Sequence, residues 1–291
     1  MTTLVIGSAG YIGRQLMAGL AADGLPAAGA SSSDGTGIYP NTGLLPDTFS
    51  VAAGTGAVVY MAQSPRYRDP EQASHVLAVN VVSAVRAAGA ARKAGVRRFI
   101  YVSTGTVYAP SFEPLTEAAP VCGADWYSLS KIQGEQAVQM FRDDMDVHVV
   151  RPFGVYGPGQ TGRLVPNLMA SIQEGRAITL QGRRDDPIDV DGLRISLCHV
   201  DDATRIIIHL IQHGGPACLN LAGEQAASIR TLATLLGELL GRPPVLAAAT
   251  AFRNFDLVAD IGLLRQFQSM VFTPLREGLA TLIDKEENVS C

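Results

Sequence analysis

The chain has 291 residues, 47% of them hydrophobic, and a formal net charge of −4, so it can bury a full core as one large domain or as two unequal ones. Its 23 Lys and Arg residues are scattered rather than gathered into a basic stripe, which argues against nucleic acid as a partner. No run of about 18 apolar residues predicts a membrane span, so no membrane partner is expected.

The first residues run straight into a strand-like "TLVIG", without the zones of a secretory signal. Next, "AVVYMA", "RRFIYVS" and "DVHVVRP" read as buried strands separated by segments of helical periodicity, the pattern of an α/β, doubly wound parallel sheet. Ser31 to Gly56 is rich in Gly, Ser and Pro and predicts neither strand nor helix. Asp69, Pro70 and Glu71 combine an N-cap residue, a first-turn proline and an early acid, and the helix they start is expected to reach Lys93 before Gly95 stops it. A second long helix is expected from Trp126 to about Arg142. Beyond Pro152 come loops, a helix near residues 163–174, a strand "AITLQG", a strand-helix unit at "ISLCHVDDATRIIIHLIQ", then "ACLNLA" and "SIRTLATLLGELLG". Residues 1–152 are expected to form the main sheet domain, with later segments returning to it, and 153–291 mainly a smaller lobe.

Cys122, Cys198, Cys218 and Cys291 are widely spaced and contain no C-x-x-C pair, which suits reduced thiols and a cytoplasmic location. No metal is expected. His209 and His213 stand four apart without the intervening Glu of a zinc-hydrolase motif, and read as packing or surface residues.

Gly7, Gly10 and Gly13 follow the first strand and open a helix, with Tyr11 and Ile12 between the last two. Glycines there permit a tight turn and close backbone approach, while the helix N-terminus offers free N–H groups to a pyrophosphate. The acid that would bind an NAD ribose is due near Ser31 or Ser32, and neither is one; Asp34 falls late, in the loop. Serines there, with Arg14 nearby, are compatible with a 2′-phosphate, so the cofactor is expected to be NAD or NADP, with a tilt to NADP.

Tyr127 and Lys131, in "WYSLSKIQGEQ", lie one helical turn apart on one face. An ammonium beside a phenol lowers its pKa from about 10 towards the range useful for acid/base work. Upstream, "FIYVSTGTVYAP" ends a strand in two hydroxyl residues, Ser103 and Thr104, where parallel sheets place ligands.

Together "GSAGYIG", "VVYMAQ", "TVY", "YSLSK", "RPFGVYGPGQ" and "RISLCHVDDATRIII" resemble the extended short-chain dehydrogenases/reductases, specifically the NAD-dependent epimerase/dehydratase family acting on nucleotide sugars. The resemblance implies a Rossmann-type fold with a C-terminal substrate-binding lobe. It makes Tyr127 the acid/base, Lys131 its partner on the nicotinamide ribose, and Thr104 the catalytic hydroxyl and a substrate contact. Met61, Ala62, Gln63 and Phe153 would line the cofactor; Asn80, counted on the cofactor side, would steady the active-site helix. Arg163, Leu164, Arg194 and Arg253 would bind the nucleotide-sugar substrate. A homodimer through a four-helix bundle of the two long helices is implied too.

Some positions depart from the family. Its 4,6-dehydratases carry Asp and Glu after the active-site threonine, where this chain has Gly105 and Thr106, which disfavours dehydration. Gly154 replaces an asparagine that touches substrate phosphates, and no acid between Ser31 and Gly56 matches the family's adenine contact. An epimerase is expected, with an NADPH-dependent ketoreductase as the alternative; a non-catalytic dinucleotide-binding regulator is the alternative from another class.

Overall fold

In this computed structural model, residues 1–287 are described, with side chains through Ile283. Cys291 lies outside the described residues. Six strands, Thr2–Ile6 (β1), Ala27–Ala30 (β2), Thr55–Tyr60 (β3), Arg98–Val102 (β4), Asp146–Pro152 (β5) and Cys218–Leu221, form one parallel sheet. Within it β2 and β1 precede β3, β4 and β5, and the Cys218–Leu221 strand closes the far edge beside β5.

Successive residues of each strand face opposite sides of a sheet, and both sides here are apolar. Val5, Val59, Ile100 and Val102 pack on one side with Leu16 and Leu20 of α1 (Tyr11–Ala22) and with Ile206, Ile207 and Leu210 of the Val200–His213 helix. Ile6, Val58, Tyr60, Phe99 and Tyr101 pack on the other with Ala84, Ala87, Ala88 and Ala91. The doubly wound α/β architecture is thus present, and residues 31–54 contain no strand or helix.

The helix expected over 70–93 is continuous but not uniform. A 3₁₀ turn at Pro70–Gln72 leads into α2 (Ala73–Leu77), a π-helical stretch at Ala78–Ser83, and α3 (Ala84–Lys93). Asp69 caps it as its sequence predicts, accepting from Glu71 N at 3.0 Å. By length and composition these residues are apolar enough to cross a membrane, yet their alanine face is the layer covering β3 and β4. The second long helix, α4, spans Trp126–Gln139, three residues shorter than expected, and opens on a capping box between Asp125 and Ser128.

After β5 the chain builds the smaller lobe. Gly154–Tyr156 (β6) pairs with Arg194–His199, and Leu164–Gln173 (α5), Ile178–Leu180 (β7) and Ile229–Leu239 surround a third core containing Tyr156, Leu168, Ile172, Leu197, Leu232 and Leu236. In chain order the remaining elements are β8 (Arg194–His199), α6 (Val200–His213), β9 (Cys218–Leu221), β10 (Ala226–Ser228), α7 (Ile229–Leu239), β11 (Leu246–Ala248), α8 (Gly262–Phe267) and α9 (Leu275–Glu287). Since β9 completes the first sheet and α6 packs on α1, residues after 152 serve both halves. His209 stacks against His213 at 4.3 Å and meets Phe267 edge-on at 4.8 Å.

Candidate active site

The carboxyl ends of β1, β3, β4 and β5 open on a cavity of about 1210 Å³, walled on its far side by β6 and the start of α5. Gly7, Gly10, Tyr11, Ile12, Gly13, Ser31, Ser32, Met61, Ala62, Gln63, Thr104, Tyr127, Lys131, Phe153, Arg163 and Leu164 all line it. Most of the residues singled out from sequence therefore converge on one space.

At one end, Gly7 has φ +93°, and a Cβ there would lie 2.7 Å from Ala62 N. That close approach brings β1 against the end of β3 and needs glycine. Gly10 gives α1 no side-chain cap, so the first N–H groups of this twelve-residue helix face the cavity. The buried Tyr11 hydroxyl has no hydrogen-bond partner. An uncapped helix N-terminus and a glycine cradle fit the pyrophosphate of a dinucleotide.

The loop after β2 departs from expectation. The Ser31 hydroxyl is not free for a 2′-phosphate: it donates to Asp34 Oδ2 at 2.8 Å and lies 2.8 Å from Ser33 Oγ. Hydrogen bonds from Thr36 and Ser31 hold the Asp34 carboxyl down at about 2, so it stays a carboxylate beside the Ser31 hydroxyl. Arg14 gives its Nη1 to Ala9 O at 2.6 Å.

β4 is followed by Ser103 and Thr104, whose side chains part. Ser103 donates to Glu135, which also takes Arg151 Nε at 3.1 Å and Nη2 at 2.6 Å, in a buried ion pair. Thr104 remains in the cavity, accepting from Thr106 N at 3.2 Å, with the Thr106 hydroxyl 3.1 Å from its own. Tyr127 donates to Gln63 Oε1 at 3.3 Å. Lys131 is 1% exposed; its ammonium donates to Val102 O at 2.9 Å and sits 5.0 Å from the Tyr101 ring centroid.

The lowering of the tyrosine pKa expected beside the lysine is overridden by burial in the protein alone. Burial pushes the Tyr127 phenol up to about 12, against hydrogen bonding from Thr104 and the Arg163 charge. Burial likewise pushes Lys131 down to about 7, against the Glu135 carboxylate. Asn80 does not reach the cavity: it is fully buried, and its amide donates to Ser130 Oγ at 2.9 Å, fixing the π-helical stretch to α4.

Two of the arginines expected to bind substrate also lie elsewhere. Arg253 is buried between Asp189 and Asp256, with Nη1 on Gln181 O at 2.9 Å, so its charge is spent inside the lobe. Arg194 is exposed beside a separate acidic depression with Asp186, Asp189 and Asp191. The departure at 154 has a steric counterpart, since a Cβ on Gly154 would come within 2.6 Å of Leu197 Cδ2. The sequence reading missed Tyr67, Arg68 and Thr106, which line the cavity; the run Arg66-Tyr67-Arg68 just before Asp69 was the available signal for the first two.

A parallel sheet with a glycine-cradled helix N-terminus, and a Tyr and Lys one turn apart at its carboxyl edge, defines a dinucleotide-dependent enzyme of the extended short-chain dehydrogenase/reductase class. The sequence profile of the NAD dependent epimerase/dehydratase family matches residues 3–222, and the chain belongs to that family. It is 30% identical over 272 residues to UDP-glucose 4-epimerase of Mycolicibacterium smegmatis, covering 84% of each chain. It is 27% identical over 252 residues to GDP-6-deoxy-D-mannose reductase of Pseudomonas aeruginosa, covering 81% of this chain and 79% of that one. Among solved structures, MoeE5 in complex with UDP-glucose and NAD superposes with a TM-score of 0.81 at 25% identity, over 100% of both chains.

Proposed function

We propose that this enzyme is a nucleotide-sugar epimerase that retains NAD and works through Tyr127. The observation carrying this reading is the convergence of Thr104, Tyr127 and Lys131 with the glycine cradle on a single cavity. At about 1210 Å³ that cavity exceeds the usual range of about 300–1,000 Å³ for one small ligand. The epimerase relative and the UDP-glucose bound to MoeE5 support a nucleotide sugar as the second occupant.

Gly7 to Gly13, Met61, Ala62, Gln63, Lys131 and Phe153 would hold the dinucleotide, which supplies reversible hydride exchange with a sugar carbon. Tyr127 takes the proton from the hydroxyl on that carbon and later returns it. Thr104 orients the same oxygen, and the Lys131 charge favours the phenolate form of Tyr127 that accepts the proton. NAD is proposed over NADP because the Asp34 carboxylate lies against Ser31. Titration should give NADH binding at least about tenfold tighter than NADPH, a difference of about 1.4 kcal/mol, and Asp34→Asn should narrow it. Equal affinity in the unaltered protein would refute the assignment.

The deciding experiment is to denature the purified protein, assay the supernatant for NAD, and incubate native protein with UDP-glucose without added cofactor. Retained NAD and conversion at a sugar carbon support epimerisation. An empty protein that oxidises NADH or NADPH with a keto-sugar supports the second reading, a ketoreductase. That reading is favoured by the Tyr127 phenol, which burial keeps in the protonated form a reductase needs.

The first long helix carries exposed Val82 and Val85, and exposed Met140 ends the second; we propose that the two helices pair with those of a second copy as a four-helix bundle. Light scattering at twice the chain mass checks this. Free Cys122, Cys198 and Cys218 support a cytoplasmic location.

A further inference from the structure

Tyr67, in the segment between β3 and Pro70, lies over the reacting end of the cavity. Its ring centroid is 5.0 Å from that of Tyr127, with the planes at 50°. Arg163, which precedes α5 on the opposite wall, donates Nη1 to the Tyr67 hydroxyl at 2.5 Å. The guanidinium groups of Arg163 and Arg68 each stand 5.4 Å from the Tyr67 ring centroid. Among the described residues neither arginine pairs with a carboxylate, unlike Arg253 or Arg151. The first N–H groups of the ten-residue α5 carry no side-chain cap either. This wall therefore holds positive charge whose best partner on hand is a neutral phenol.

We propose that Tyr67 and Arg163 form a latch joining the two lobes across the cavity mouth, which an anionic oxygen of the substrate opens by replacing the Tyr67 hydroxyl on Arg163. The inference rests on the nucleotide-sugar reading above. A phosphate or carboxylate oxygen binds a guanidinium about twice as strongly as a neutral acceptor does, and can do so through two N–H groups at once. A neutral sugar oxygen has no such advantage, so the latch selects for an anion at this point. Two groups of a nucleotide sugar carry that chemistry, the diphosphate and the carboxylate of a uronic sugar. Because the phenol competes with the anion, removing its hydroxyl should tighten binding, whereas a merely structural contact would loosen the site when cut.

The test is calorimetric titration of the full-length NAD-loaded protein and its Tyr67→Phe, Arg163→Gln and double variants with UDP, inorganic pyrophosphate and glucuronate. Tyr67→Phe should tighten the anion that opens the latch by about two- to tenfold, the span of one hydrogen bond. Arg163→Gln should weaken it, and the double variant should match Arg163→Gln alone. Tightening of UDP and pyrophosphate identifies the diphosphate as the source; tightening of glucuronate alone identifies the sugar carboxylate. If Tyr67→Phe weakens or leaves unchanged the binding of all three, or if none of them binds, the latch is overturned. If pyrophosphate tightens while UDP binds no better than pyrophosphate, the latch stands and the nucleotide-sugar reading fails.

Discussion

At position 105 one methyl group would decide the packing. A Cβ there would meet three atoms of the Phe153 ring at 2.9–3.0 Å, so the position that bears an acid in dehydratases is closed by an aromatic ring as well as lacking the acid. Gly105→Asp is expected to lower stability by about 1–3 kcal/mol through overpacking, read as a fall in melting temperature, without creating dehydratase activity. Tyr127→Phe should abolish turnover and leave NAD affinity within about twofold, since the phenol and not the ring carries the proton; steady-state rates and NADH titration check the pair. The residues legible in the sequence were those set by local spacing. Tyr127 and Lys131 share a face because a helix puts them there, and Thr104 follows a strand. Arg253 lies away from the cavity because its direction is set by Asp189, 64 residues away, together with Asp256, three residues on, and spacing in the sequence does not show the first of these.

Among elements, α4 is held from two sides. Asn80 ties it to the π-helical stretch, while Glu135, one turn beyond Lys131, is locked by Arg151 of β5 and by Ser103 just after β4. The helix that presents Tyr127 is thus referenced directly to the sheet. Breaking the pair with Arg151→Met leaves a buried carboxylate unpaired and should cost about 3–5 kcal/mol, whereas Arg151→Met with Glu135→Leu should recover most of that loss; urea denaturation of the three proteins measures it. Sequence periodicity revealed α4 and the core strands because their apolar patterns are strong. It did not reveal the π-helical register at 78–83, as one extra residue per turn leaves an alanine- and valine-rich pattern almost unchanged.

For the molecule as a whole, the buried Lys131 makes stability depend on pH. Its folded-state value of about 7 lies below the ordinary 10.5, so between these limits the unfolded chain holds a proton that the native chain lacks. Stability contributed by this group therefore rises with pH across that window, by on the order of 1 kcal/mol per unit, and the charge is most costly to bury below pH 7. Chemical denaturation from pH 7 to 9 should show the rise in the cofactor-free protein and a flatter profile in Lys131→Met. The same long-range assembly explains why the division at residue 152 was visible only in outline: apolar runs mark strands but do not say which sheet receives them.

The strand β9 gives that division a consequence in time. It seals the β5 edge of the main sheet, yet it is the last of the six strands to leave the ribosome, after β6, α5, β7, β8 and α6. Until residue 221 has emerged, β5 presents its backbone N–H and C=O groups to any other extended chain. A nascent chain must carry this adhesive border through the synthesis of about half of the residues that follow β5. A fragment ending at residue 152 keeps it permanently, and should be recovered in aggregates where a fragment of residues 1–222 is not.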